Sequence, residues 1–241
     1  MAVASFVREG AYLCDVGTDH AYLPIYLAEN GRIRACLASD IHEGPCESAR
    51  AHIATNGFAD IIKVKRADGL SGFTPCGKTD IVIAGMGGAL ICEILEKAEG
   101  IKTGDVRLIL QPMRNVPDLR AYLYENGFDI TGEKLAREEE RIYEIICAEY
   151  SGEKRTASKL SLLLGEKNIE NKAQDKALFS AFCEKQAAAL EKKIAGMRTG
   201  GADTGAEEEL LRECRMQSAE CRVQSAECKV QSAECRVQSA E

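Results

Sequence analysis

Along the first 150 residues, short apolar runs alternate with stretches whose apolar positions recur at helical spacing. The runs cover residues 11–17, 35–40, 61–64, 80–85 and 106–110, and helical spacing fills residues 21–30, 43–56, 89–99 and 116–126. Gly31, Gly57, Gly100 and Gly127 follow the helical stretches, where helix-ending glycines belong. Near-continuous apolar strands separated by helices predict a parallel sheet covered on both faces. Two further β-rich runs, residues 128–135 and 142–150, leave no room for a crossover helix and are expected to pair antiparallel. The expectation is an α/β, doubly wound, mostly parallel sheet closed by an antiparallel hairpin.

From about Ser151 the pattern becomes helical. Ala177, Leu178, Ala181, Phe182, Ala188, Ala189, Leu190 and Ile194 predict two or three helices or a helical hairpin, interrupted by a glycine-rich breaker at residues 199–205. The tail is four copies of one heptad, residues 214–220, 221–227, 228–234 and 235–241. Val223, Ala226, Val230, Ala233 and Val237 fall at alternating spacings of three and four, a coiled-coil seam that buries little area per turn. The tail is therefore expected to fray or to self-associate weakly, without a catalytic role. The chain divides accordingly into residues 1–152, a helical coiled-coil-like domain at 153–213, and the tail.

Charge and cysteines sharpen the picture. Residues 1–152 carry a net charge of -7, residues 153–198 carry +4, and the remainder carries -4. An acidic first half argues against indiscriminate coating of nucleic acid. The basic helical segment either tracks phosphates or is a solvated helix surface. No apolar run approaches the roughly 18–20 residues of a membrane helix. The N-terminus lacks the basic and apolar regions of a signal peptide, so a cytoplasmic protein is expected. Seven of the eleven cysteines are scattered in apolar segments without metal-ligand spacing, as small buried hydrophobes would be, so no metal is expected.

In an open parallel sheet, ligands sit beyond the carboxyl ends of the strands, where strand order reverses. Four features converge there. Asp15-Val16-Gly17-Thr18-Asp19-His20 follows the first strand, and its two acids would repel a diphosphate. The glycines of a pyrophosphate cradle are missing, because Asp19 and Tyr22 stand where they would be needed. A cationic ligand suits this turn, and S-adenosylmethionine carries a sulfonium and an ammonium. Asp40, ending the second strand, can accept hydrogen bonds from ribose hydroxyls. Asp68-Gly69, after the third, is placed for an adenine amino group. Ala84-Gly85-Met86-Gly87-Gly88, after the fourth, lets backbone approach a flat substrate or the methyl donor; close helix–sheet packing is the alternative reading. The acids also have one, as helix caps.

These residues, with Ala21-Tyr22-Leu23-Pro24, Gly44-Pro45, Leu70, Leu110-Gln111-Pro112, Leu119-Arg120 and Tyr143-Glu144-Ile145-Ile146, closely resemble the bacterial tRNA (adenine-22-N1)-methyltransferases over roughly residues 6–150. The resemblance implies a class I, Rossmann-like methyltransferase domain using S-adenosylmethionine, a helical coiled-coil domain, and methylation of an adenine N1 in the D-arm region of tRNA. Asp40 matches a family position usually held by glutamate. The chain is expected to begin inside the family's first helix, with its repeat tail in place of the end of the second helical segment.

On this reading Asp15, Gly17, Thr18, Asp19, His20, Asp40, Asp68, Gly69, Gly85, Met86 and Gly87 hold the cofactor. Asp19, His20, Tyr22, Met86, Gln111 and Pro112 are the candidates for touching the base. Lys154, Arg155, Lys159, Lys192 and Lys193 would supply phosphate contacts. Asp19 could accept from the adenine 6-amino group, or face the donor's ammonium, or cap the next helix. His20 could orient the base or be a satisfied core histidine, and His42 and His52 receive no role. Other acceptors (a small molecule or a protein) and a catalytically impaired RNA-binding relative remain the competing readings.

Overall fold

A computed structural model describes the backbone of residues 2–238 and the side chains of residues 2–222. The chain forms two compact units, residues 1–157 and 158–241.

The first unit is a seven-stranded sheet. Its elements in chain order are β1 (Ala11–Val16), α1 (Tyr22–Glu29), β2 (Ile33–Asp40), α2 (Glu43–Thr55), β3 (Ile62–Arg66), β4 (Thr79–Met86), α3 (Gly88–Lys97), β5 (Val106–Pro112), α4 (Val116–Glu125), β6 (Phe128–Glu138) and β7 (Arg141–Tyr150). Strand order is β3-β2-β1-β4-β5-β7-β6. The first five strands pair parallel, and β7 pairs antiparallel with both β5 and β6. Consecutive residues Ile81, Val82 and Ile83 in β4, and Leu108, Ile109 and Leu110 in β5, are all buried. Because successive strand side chains point to opposite faces, both faces of the central sheet are covered. β1 lies between β2 and β4, so strand order reverses there and opens a crevice at the carboxyl ends of these strands.

Helix α4 buries Val116, Leu119, Arg120, Leu123 and Tyr124, a stripe at helical spacing that includes an arginine. Arg120 Nε donates to Glu133 Oε1 of β6 at 2.7 Å and Arg120 NH2 to Glu144 Oε2 of β7 at 2.7 Å, so one guanidinium ties the helix to both arms of the hairpin. β6 runs to Glu138, beyond the apolar stretch that marks it in the sequence. Its outer part pairs only with β7, and β7 contacts β5 only through residues 146–149, so these outer arms need no apolar pattern.

The second unit comprises α5 (Lys159–Leu164), α6 (Glu166–Glu170), α7 (Lys176–Thr199) and α8 (Gly205–Gln238). Side-chain caps start two of them, Ser158 accepting from the Ser161 amide and Asp175 from the Leu178 amide. α7 and α8 flank the glycine-rich breaker and run antiparallel. Ser180 Oγ lies 2.8 Å from Ser218 Oγ, the Cys214 thiol donates to the Cys183 carbonyl at 3.3 Å, and Lys193 pairs with Glu207 at 3.1 Å.

In the first heptad copy, Cys214 and Ser218 face this seam, with Cys221 following, while Met216 is 57% exposed. In this first copy the packed positions are thus the cysteine and the serine rather than Met216. α7 supplies the bulk through Phe182, Leu190 and Ile194, and small side chains from α8 complete the packing. Val223, Ala226, Val230, Ala233 and Val237 lie outside the residues whose side chains are described. Among the described residues no helix is long and apolar enough to cross a membrane, and no cluster of His, Cys, Asp and Glu could hold a metal ion.

Candidate functional site

The crevice is built on Gly17. Its φ of +79° is left-handed, and a Cβ at this position would collide with the Met86 Cε from the β4 loop. The amides of Gly17 and Thr18 donate to the Ser39 carbonyl at 2.8 and 2.9 Å, joining the end of β2 to the same turn. Three strand ends thus close around a residue without a side chain. Asp15, two residues earlier, is buried, and burial pushes its carboxyl up to about 6 against the opposing side-chain hydrogen bond with Thr18. Ser39 Oγ is the one buried side-chain polar atom among the described residues without a hydrogen-bond partner.

Beyond this acidic floor the turn becomes open. The Asp19 side chain is 72% exposed, with Oδ2 3.3 Å from His20 Nε2. Ala21, buried and non-glycine, holds φ +55° between His20 and Tyr22. Backbone strain at a buried L-residue persists only where surroundings impose it, and such positions concentrate at functional sites. Tyr22 is 65% exposed. Ser48 and His52, one helical turn apart on α2, complete this corner: His20 Nδ1 lies 2.7 Å from Ser48 Oγ, and His52 Nδ1 is 3.1 Å from the His20 carbonyl. Neither signal is local in sequence, since the partners stand 28 and 32 residues apart.

The remaining strand ends differ in how free their groups are. Asp40 Oδ1 accepts from the His42 amide at 2.8 Å and so shapes the entry into α2. Asp68 is exposed and, with Gly69, lines a cavity of about 610 Å³ floored by Leu70, Phe73 and Ile94. In the β4 loop the Gly85 amide donates to Gln111 Oε1 at 3.0 Å and the Gly88 amide to the Arg114 carbonyl at 2.8 Å. The Gln111 amide nitrogen in turn lies 3.2 Å from the Pro112 carbonyl, and Pro112 is itself buried. Gln111 therefore staples the β4 and β5 loops together. Gly88 is a packing glycine, because a Cβ there would strike the Asn115 carbonyl oxygen.

Among the described residues of this unit the exposed large apolar side chains are Tyr22, Ile41, Leu90 and Met113, and each follows a different strand of β1, β2, β4 and β5. The basic residues are divided. Lys154 and Arg155 belong to the first unit, and Lys159, Lys192 and Lys193 to the second. Arg155 packs its guanidinium 3.6 Å from the centre of the Tyr124 ring and lies 3.8 Å from Asp129, while Lys193 is engaged by Glu207.

Comparison with known proteins agrees with this geometry. A methyltransferase-domain family matches residues 1–146. The Bacillus subtilis tRNA (adenine(22)-N(1))-methyltransferase is 36% identical over 163 residues, 68% of each chain. Among solved structures, the B. subtilis m1A22 tRNA methyltransferase superposes with a TM-score of 0.72 at 30% identity, covering 92% of this chain and 94% of that one. A Streptococcus pneumoniae candidate tRNA (m1A22) methyltransferase, solved in complex with S-adenosyl-L-methionine, gives 0.71 at 34% identity, covering 91% and 96%. An acidic, pinched crevice at the switch point of a 3-2-1-4-5-7-6 sheet and these relatives point the same way: the chain belongs to the tRNA (adenine(22)-N(1))-methyltransferase family.

Proposed function

We infer that this chain transfers the methyl group of S-adenosylmethionine to N1 of an adenine, position 22 in the D-arm region, of tRNA. The observation that carries the reading is the buried Asp15 beneath the glycine bend. A carboxyl kept from water and held up to about 6 gains most from a cationic ligand, and the open Asp19 adds a second acid at the same turn. The residues fit such a donor: Asp15, Gly17 and Thr18 at the acidic bend, Asp40 and Asp68 at successive strand ends, and Gly69, Gly85, Met86 and Gly87 where backbone can lie close. When bound, S-adenosylmethionine supplies an electrophilic methyl group on a sulfonium.

Adenine N1 carries a lone pair and no proton in the neutral base, so the protein needs no general base. Its contribution is alignment, exclusion of water and a partner for the 6-amino group, whose acidity rises as the ring becomes positive. Asp19 and Tyr22, both exposed, are the residues assigned to the base on this reading, with His20 against Tyr22 and Met86 against the Gly17 bend. N1 lies on the pairing edge, so the adenine must leave its stack. Exposed Tyr22, Ile41, Leu90 and Met113, each following a strand's carboxyl end, offer apolar surface on which an unstacked base can rest. Gln111 and Pro112 act on this reading from behind, by fixing the loop that carries Met113.

Lys154, Lys159 and Lys192 are the favoured phosphate contacts, because Arg155 and Lys193 have partners within their own units. The direct test is methylation of unmodified tRNA with labelled donor, followed by nucleoside mapping. N1-methyladenosine with primer-extension arrest at position 22 is expected. Label appearing only in protein or in free nucleotides would overturn the assignment.

A further inference from the structure

The corner where α2 meets the β1–α1 turn is tied together by side chains of both elements. His20 is held at three points. Its Nε2 is 3.3 Å from Asp19 Oδ2, its Nδ1 is 2.7 Å from Ser48 Oγ, and its carbonyl lies 3.1 Å from His52 Nδ1. Nε2 lies within ion-pair distance of the Asp19 carboxylate, and a ring N–H facing that negative charge is favoured over a bare lone pair, which puts the imidazole proton on Nε2. Nδ1 is then an acceptor and takes the Ser48 hydroxyl proton. His52 donates to the His20 carbonyl and sets its ring edge-on to both His20, at 5.9 Å and 69°, and Tyr22, at 5.1 Å and 76°. The His20 and Tyr22 rings lie 5.3 Å apart. Ser48 and His52 share one face of α2 through their i, i+4 spacing, so a single rigid helix delivers both contacts.

We propose that Ser48 and His52 are positioning residues that lock the His20 imidazole in the Nε2–H form and, through it, aim the Asp19 carboxylate at the 6-amino group of the target adenine. This rests on the tRNA reading above and deepens it. Asp19 is largely exposed and, among the described residues, its side chain has no other hydrogen bond or ion pair, so without His20 it would sample several rotamers and align with the amine only part of the time. Groups that orient a metal-ligating side chain commonly contribute ~10–100-fold to activity, and an effect of the same order is expected for one that orients a carboxylate.

Two measurements on the full chain test the proposal. The first is a long-range proton–nitrogen spectrum of histidine-labelled protein, recorded above the ordinary histidine titration range. His20 should show the Nε2–H pattern in the wild type and a tautomer mixture in Ser48→Ala. An Nδ1–H or mixed wild-type signal would overturn the lock whatever the enzyme does. The second is single-turnover methylation of tRNA by Ser48→Ala, Ser48→Thr and His52→Phe, with donor affinity and Tm measured alongside. The chemical step should fall about tenfold or more in Ser48→Ala and His52→Phe, with donor affinity within about twofold, and should largely recover in Ser48→Thr. A wild-type rate in Ser48→Ala would overturn the aiming role. Should the wild type itself leave tRNA unmethylated, the tRNA reading falls and takes the aiming role with it, while the spectrum still decides the lock.

Discussion

At the residue scale, Asp15 places a carboxyl where the fold alone would not favour one, as the proposed donor site asks. Its carboxyl is raised from 3.8 to about 6 by burial, so above that range the folded protein holds a charge it would rather expose. The penalty is complete above pH 6 or so and vanishes as pH falls toward the unfolded value, because the folded form then binds the proton more readily. Asp15→Asn keeps a side chain that can bond Thr18 and removes the charge. It should stabilise the ligand-free protein at neutral pH by on the order of 2–3 kcal/mol, with the gain shrinking under acid, as urea denaturation across pH would show. The same substitution should weaken S-adenosylmethionine binding by ~10–100-fold. Wild-type affinity should rise with pH through about 6 and then level, and Asp15→Asn should lose that slope in calorimetry. An affinity equal to the wild type's, flat across pH in both proteins, would remove Asp15 from the donor site. Asp15 and Gly17 were legible in the sequence because the acid, the glycine and the strand end are contiguous. Ser48, His52 and the orphan Ser39 hydroxyl were not, since their meaning arises only when α2 and β2 fold back beside the first turn.

Elements were easier to read than their attachments. The alternation of strands and helices predicts the sheet, and the missing crossover predicts the hairpin, yet what fastens that hairpin is Arg120. Its place on the apolar stripe of α4 was visible in the spacing, but an arginine among leucines is ordinarily read as solvated. Fully buried between Glu133 and Glu144, it cannot be removed without stranding two carboxylates. Arg120→Ala should cost ~3–5 kcal/mol, and adding Glu133→Gln and Glu144→Gln should restore part of it, both measurable by chemical denaturation. Full independence of the three substitutions would argue against the clasp. The hairpin tip offers the opposite sign. Glu138 pairs with Arg141, which leaves a two-residue turn in which the exposed Glu139 holds φ +51°. Glycine suits such a first turn position, so Glu139→Gly should stabilise by about 0.5–1 kcal/mol and raise Tm by a few degrees, without changing methylation.

For the whole molecule, the question is how an acidic catalytic unit holds a polyanion. The first 152 residues carry -7, so binding energy for phosphates must come from a local excess of cations, and residues 153–198 hold one of +4. Composition reveals that excess but not which cations are available: Arg155 is spent on Tyr124 and Asp129, and Lys193 on Glu207, contacts that depend on tertiary neighbours. The repeat tail shows the same limit, because its period is plain while the seam residues, Cys214 and Ser218 in place of the larger Met216, are chosen by what α7 presents. If Lys154, Lys159 and Lys192 contact phosphates, each releases counterions on binding. The slope of log affinity against log salt should then drop in magnitude by about 0.7–0.9 for each of the three changed to glutamine. Donor affinity should stay unchanged in the same variants, and Lys193→Gln should alter the slope little, since its charge is already matched. Filter binding of tRNA over a salt series separates these outcomes. A triple variant with the wild-type slope would place the tRNA body elsewhere, on the crevice rim itself, and leave the basic helices as a solvated surface.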